Sequence, residues 1–211
     1  MNGEAAQLLA VFGKGFALSA ALIVAIGAQN LFVLRQGLRR EHVFAIVLFC
    51  GSADALLIAA GVAGLGALLQ AVPGLTLWLT LGGAAFLAWY GIGALRRALH
   101  PATMAVELQP SMSLGRALAG CAAFTLLNPH VYLDTVLLMG AVGSSVQPAS
   151  RPWFVAGAAS ASYIWFTALG YGARLLTPVF ARPIAWKLLD LGVGVTMLVL
   201  AAALLMRALN L

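Results

Sequence analysis

The chain has 211 residues and a mass of 21.9 kDa; 63% of its residues are hydrophobic, 9% are charged, and the mean hydropathy is +1.00. Soluble domains carry roughly 25% charged residues, so this surface cannot face water; a soluble enzyme, a secreted disulfide scaffold and a disordered tail are excluded, and an integral membrane protein remains. The formal charge of +6 is broken into small clusters between apolar runs, which is not the footprint of a nucleic-acid binder.

A spanning helix needs about 20 mostly apolar residues. Six stretches meet that length in chain order: 16–34, 43–69, 75–95, 117–138, 153–171 and 188–206. The first, third and fifth carry no charge, whereas the second holds Asp54, the fourth Asp134 and the sixth Asp190. Pro73-Gly74, Gln147-Pro148 and Pro178 punctuate the connections. Arg35, Arg39, Arg40, Arg96, Arg97, Arg116, Arg174, Arg182 and Lys187 fall on one side of the spans, against Lys14, Arg151 and Arg207 on the other. The positive-inside rule places the larger set in the cytoplasm and both termini outside. Cys50 and Cys121 lie inside apolar runs, so no structural disulfide is expected.

The expected fold is all-α: six transmembrane helices as a 3+3 inverted repeat, with the first and fourth helices interrupted. Residues 1–211 form one membrane domain, with a first repeat at 1–99, a linker at 100–115 and a second repeat at 116–211. Leu95-Arg96-Arg97-Ala98-Leu99 and Leu205-Met206-Arg207-Ala208-Leu209 close the two halves alike. An odd number of spans per half makes the second half enter from the opposite face, the layout of many secondary transporters.

Polar groups in hydrocarbon are costly and call for a function. Gln29-Asn30 interrupts the first span after Gly27, and Asn128-Pro129-His130 interrupts the fourth, where Pro129 breaks the helical bonding. Such breaks survive at depth where they line a cavity or are buried in protein, and their helix ends can hold a carboxylate and an ammonium. Gln29 and Asn128 have a plainer reading as glue between helices. Asp54 stands near the middle of the second span with no Lys or Arg in the core of any span to pair it. A visiting cation or a carried proton fits that placement; a protonated structural acid is the plain alternative. His130 and Asp134, four residues apart, share a helical face and can share a proton. Their spacing suits two metal ligands, but a third is missing and no metal or other cofactor is expected. Asp190, three residues after Lys187, reads as an interfacial anchor. Tyr132, Trp89, Tyr90, Tyr163 and Trp165 read mainly as packing or interfacial belt, with stacking on a guanidinium open to one or two; Tyr132 is grouped with the substrate-binding candidates.

The polar blocks resemble the lysine/arginine exporter (LysE) family. Gly27-Ala28-Gln29-Asn30-Leu31-Phe32-Val33-Leu34-Arg35-Gln36-Gly37 resembles its first-helix signature, and Ser52-Ala53-Asp54 its second-helix acidic motif. Phe86-Leu87-Ala88-Trp89-Tyr90-Gly91 resembles its third helix, Leu127-Asn128-Pro129-His130-Val131-Tyr132-Leu133-Asp134-Thr135 its fourth, and Ser160-Ala161-Ser162 with Trp165-Phe166 its fifth. The resemblance implies export of basic L-amino acids, L-arginine or L-lysine, across the bacterial inner membrane. On that reading Gln29, Asn30, Asp54, Asn128 and Tyr132 bind substrate, and Asp54, His130 and Asp134 couple protons by antiport. The expected partners are the amino acid, protons and membrane lipid; a homodimer is compatible with so small a bundle. The rival readings are export of another small amino acid or cation, and a thiol-redox carrier, for which Cys50 and Cys121 do not occupy equivalent repeat positions. No Ser-His or Cys-His pair at useful spacing suggests an enzyme.

Overall fold

The computed structural model describes residues 2–24, 27–65, 73–99, 111–128, 131–180 and 182–209, and all regular structure among them is helical. Helix α1 is Asn2–Ile23, α2 Ala28–Arg39, α3 Val43–Ala60 with a π-helical continuation Gly61–Leu65, and α4 Pro73–Leu99. In the second half, α5 is Leu114–Leu126, a π-helical stretch Tyr132–Leu138 leads into α6 at Met139–Ser144, α7 is Arg151–Gly172, α8 Thr177–Phe180 and α9 Pro183–Leu209.

The expected span 16–34 is not one helix. Its first part belongs to α1, which starts fourteen residues earlier, and its second part to α2, which begins after Gly27 in an extended conformation (φ −112°, ψ 173°). Helix-favouring Glu4, Ala5, Ala6, Gln7 and Leu8 extend α1 toward the N-terminus despite their lower hydropathy. The expected span 117–138 is likewise divided between α5 and the π-helical stretch before α6. Among the described residues, three helical segments are long and apolar enough to cross a membrane: Gly3–Ile23, Val43–Leu65 and Ile184–Met206. The third and fifth expected spans lie within α4 and α7, whose 27 and 22 residues reach roughly 40 and 33 Å at 1.5 Å per residue. Arg96 and Arg97 belong to the last turn of α4 rather than to a loop.

The chain divides into two compact units. The first comprises Met1–Ile26, Val47–Thr76 and Pro129–Thr167; the second comprises Gly27–Ile46, Leu77–Asn128 and Ala168–Leu211. Each draws on both expected repeats, and the chain passes from one unit to the other at both helix breaks, after residues 26 and 128.

Inside the first unit, Ile58 and Val62 pack with Met139, Phe154 and Ala158, and Val11, Leu18 and Leu22 of α1 close over them. Glycine permits backbone contact here: a Cβ at Gly15 would overlap the Phe154 carbonyl, and one at Gly157 the Phe12 carbonyl. The two π-helical stretches also meet, since a Cβ at Gly61 would strike the Val136 backbone and one at Gly140 the backbone of Gly61. Gly64 (φ +110°) bends the chain just beyond that contact.

In the second unit, Leu38, Ala173 and Trp186 form one core, with Leu34, Phe180 and Leu189 around it. Phe32, Phe86, Tyr90 and Phe124 form a second, aromatic core, with ring centroids 4.8 to 6.5 Å apart. After α2, Arg40 takes the left-handed conformation that ends a helix, and Glu41 and His42 then hold Met112: its N–H donates to Glu41 Oε2 (3.3 Å) and its carbonyl lies 2.7 Å from His42 Nε2. Ser113 caps α5 by accepting from the Arg116 N–H. Large apolar side chains including Phe44, Leu56, Trp78, Trp89, Ile164 and Val199 are exposed, as they are when lipid rather than water is the solvent.

Candidate functional site

Asp54 belongs to the first unit. It sits mid-helix on α3, is buried, and accepts a hydrogen bond from Ser162 Oγ of α7 at 2.9 Å. Two residues before it, Ser52 Oγ lies 2.7 Å from the Tyr163 hydroxyl. The Tyr163 ring fills the space that a side chain at Gly51 would need, which brings α3 and α7 close beside the acid. Among the described residues no Lys, Arg or His forms an ion pair with Asp54. It is therefore a buried carboxylate served by one hydroxyl donor, an arrangement that leaves its negative charge uncompensated whenever it is ionised.

Tyr132 and Asp134 are also in the first unit, both half-buried, on the π-helical stretch that packs against the π-helical end of α3. π-Helical turns displace backbone carbonyls from their usual partners and recur at functional sites. His130 and Pro129 fall outside the described residues, so the expected His130–Asp134 pair has no described geometry.

Gln29, Asn30 and Asn128 lie in the second unit. Gln29 and Asn30 occupy the first turn of α2, where the Gly27 N-cap makes no side-chain hydrogen bond. Among the described residues the buried Gln29 Nε2 finds no hydrogen-bond partner, nor does Thr125 Oγ1 near the end of α5. Asn128 is half-buried just beyond that end. Helices α2 and α5 pack together through Phe32 on Phe124, with ring centroids 5.2 Å apart. Buried donors without partners cost stability, and a helix start with open N–H groups attracts a carboxylate.

Asp190 corrects the sequence reading. It is no interfacial anchor: it is buried in the second unit and bonded to Arg35 Nη1 at 2.5 Å and to Arg97 Nη2 at 3.2 Å. Arg35, counted from the sequence as a loop charge, is buried because α2 continues to Arg39 and carries it inward. Sequence reasoning also missed Ser162 as the partner of Asp54, although Ser160-Ala161-Ser162 is one of the blocks that carry the family resemblance.

An apolar exterior, helices long enough to cross a bilayer, and buried acids and amides along them define a multi-pass membrane protein of the transport class. The family model of the LysE type translocators matches residues 20–208. Proteins named "Putative amino-acid transporter" in Mycobacterium tuberculosis and Mycobacterium bovis are 50% identical over 191 residues, covering 89% of this chain and 92% of theirs. The arginine exporter ArgO of Yersinia enterocolitica is 43% identical over 205 residues, 97% of this chain and 100% of its own. No solved structure matches. The chain belongs to the LysE type translocator family, a family of amino-acid transporters rather than of enzymes.

Proposed function

We propose that this protein is a secondary active exporter of basic L-amino acids, arginine and lysine, in the bacterial inner membrane, driven by proton antiport. The observation that carries the reading is Asp54, a buried carboxylate with no basic partner among the described residues. A guanidinium keeps its proton at any physiological pH, so an arginine crossing hydrocarbon needs an anion at depth. Asp54 supplies it, and takes a proton when the cargo leaves; Asp134 with His130 shares that proton traffic. Gln29, Asn30, Asn128 and Tyr132 are the further substrate-binding residues of this reading, each within its own unit. Exporting one positive charge against 100 mV costs about 2.3 kcal/mol, which an inward proton offsets.

The 3+3 inverted repeat belongs to this proposal, with both termini outside. It is supported by the parallel order of the halves: a broken pair (α1 and α2, α5 and α6), a long helix (α3, α7), and a closing helix of 27 residues that starts at proline (α4 at Pro73, α9 at Pro183). The repeats are 1–99 and 116–211, joined by the linker 100–115.

Proteoliposomes loaded with arginine test the function. Efflux should accelerate when an inward proton gradient is imposed, without added voltage if one proton exchanges for one cation. Efflux indifferent to both pH gradient and voltage refutes antiport, and absence of arginine efflux refutes the cargo.

A further inference from the structure

The second unit holds a charged cluster that the proposed cycle does not use. Arg35 of α2, Arg97 of α4 and Asp190 of α9 converge, with side-chain exposures of 9%, 31% and 5% respectively. Both guanidinium groups bond the same carboxylate oxygen: Arg35 Nη1 reaches Oδ1 at 2.5 Å, and Arg97 reaches it through Nε at 3.3 Å and Nη2 at 3.2 Å. Arg97 also lies over the Tyr90 ring, 5.9 Å from its centroid.

Three features distinguish this cluster from a simple strut. Its charges do not balance, because two cations share one acid. Neither arginine uses the two-oxygen fork that makes guanidinium–carboxylate pairing strong, and the second oxygen of Asp190 receives no bond from the described residues. Finally, Arg97 holds the acid at longer distances than Arg35 and is the more exposed of the two, so it can leave first.

We propose that Arg97 and Asp190 form an exchange site for the whole cargo amino acid: the side-chain cation of the cargo replaces Arg97 on Asp190, and the released Arg97 binds the cargo's α-carboxylate. Each ionic partner that is lost is replaced, so no buried charge is left alone during the exchange. Arg35 stays on Asp190 and positions it. A molecule without a carboxylate leaves the released Arg97 unpaired, and one without a side-chain cation offers Asp190 nothing in place of Arg97, so the site favours a cargo that carries both groups. This inference rests on the basic-cargo reading and adds to it a carboxylate reader and a second cation acceptor.

Competition against arginine efflux in proteoliposomes tests it, with agmatine as arginine without its carboxylate and citrulline as arginine without its charge. Wild-type protein should take each at least about tenfold more weakly than arginine, a difference of about 1.4 kcal/mol. Arg97→Gln should lose the discrimination against agmatine while still rejecting citrulline. Asp190→Asn should narrow the discrimination against citrulline, and Asp190→Glu should restore it. Inserted variants that keep the wild-type ratios overturn the exchange site, as does wild-type protein that accepts agmatine as readily as arginine. Should Asp190→Asn fail to insert, the agmatine ratio of Arg97→Gln decides, since Arg97 is the most exposed member of the cluster. Wild-type protein that exports no arginine refutes the proposed function itself; arginine export with unchanged ratios in the variants refutes only this site.

Discussion

Replacing Asp54 by asparagine removes a charge and almost nothing else. The two side chains are nearly the same size, and the carboxamide oxygen can still accept from Ser162 Oγ, which now stands 2.9 Å from the carboxylate. Packing of α3 against α7 is thereby kept, and the variant should insert at wild-type levels. What disappears is attraction for the cargo. Two unit charges about 4 Å apart gain about 4 kcal/mol at the effective dielectric of roughly 20 that describes protein sites. That corresponds to roughly a thousandfold in affinity. Equilibrium binding of radiolabelled arginine to purified protein measures this directly, and efflux well below saturation should fall in proportion. Ser162→Ala is the companion variant: it keeps the charge but removes a hydrogen bond to a charged group, worth about 1.5–3 kcal/mol, or roughly ten- to a hundredfold. The expected order is therefore Asp54→Asn worse than Ser162→Ala. A loss under tenfold for Asp54→Asn, or the reverse order, would show that the acid serves structure and not transport.

The unpaired amide of Gln29 costs stability in exchange for binding, so Gln29→Met should raise the melting temperature by a few degrees while export falls; a lower melting temperature with normal export refutes this. Gly61→Val drives methyl groups into the Val136 backbone and should destabilise by about 1–3 kcal/mol in thermal unfolding, whereas Gly82→Ala, with open space around it, should not destabilise. A neutral Gly61→Val would mean that the two π-helical stretches do not meet as described. Cys50 and Cys121 are both buried and neither is in a disulfide, and the Cys50→Ala/Cys121→Ala double variant should export at the wild-type rate; its loss of transport would revive the thiol-redox alternative.

Hydropathy alone marks where apolar helices run, because transfer free energy adds along the chain and needs no partner. The second and sixth expected spans, 43–69 and 188–206, accordingly overlap the segments Val43–Leu65 and Ile184–Met206. The interruptions are legible too: glycine followed by Gln29-Asn30, and a proline after Asn128, cannot continue an apolar helix unchallenged. Helix ends are a different matter. The start of α1 at Asn2 depends on helix propensity in residues that a hydropathy window discounts, so the expected span began at residue 16. The π-helical stretches are invisible in the sequence because tertiary contact produces them: Gly61 and Gly140 are ordinary small residues until their backbones meet. The pairing of Arg35 with Asp190, 155 residues apart, is likewise a fact of packing and not of local pattern.

The contrast between Asp54 and Asp190 carries the functional reading further than either acid does alone. Both are aspartates on long apolar helices, both are buried, and local sequence treats them alike. Yet the fold supplies Asp190 with two guanidinium groups and Asp54 with one hydroxyl. A structural ion pair must be neutralised in every state the protein visits, or folding bears its desolvation cost without return. An acid without a resident cation is open to cargo directly, whereas one that holds a cation, as Asp190 does, can meet cargo only by exchange with that cation. The chain contains enough arginine to have paired both acids, and among the described residues only Asp190 has a basic partner. That asymmetry is what a carrier of positive charge requires, and a purely structural bundle would have no reason to maintain it.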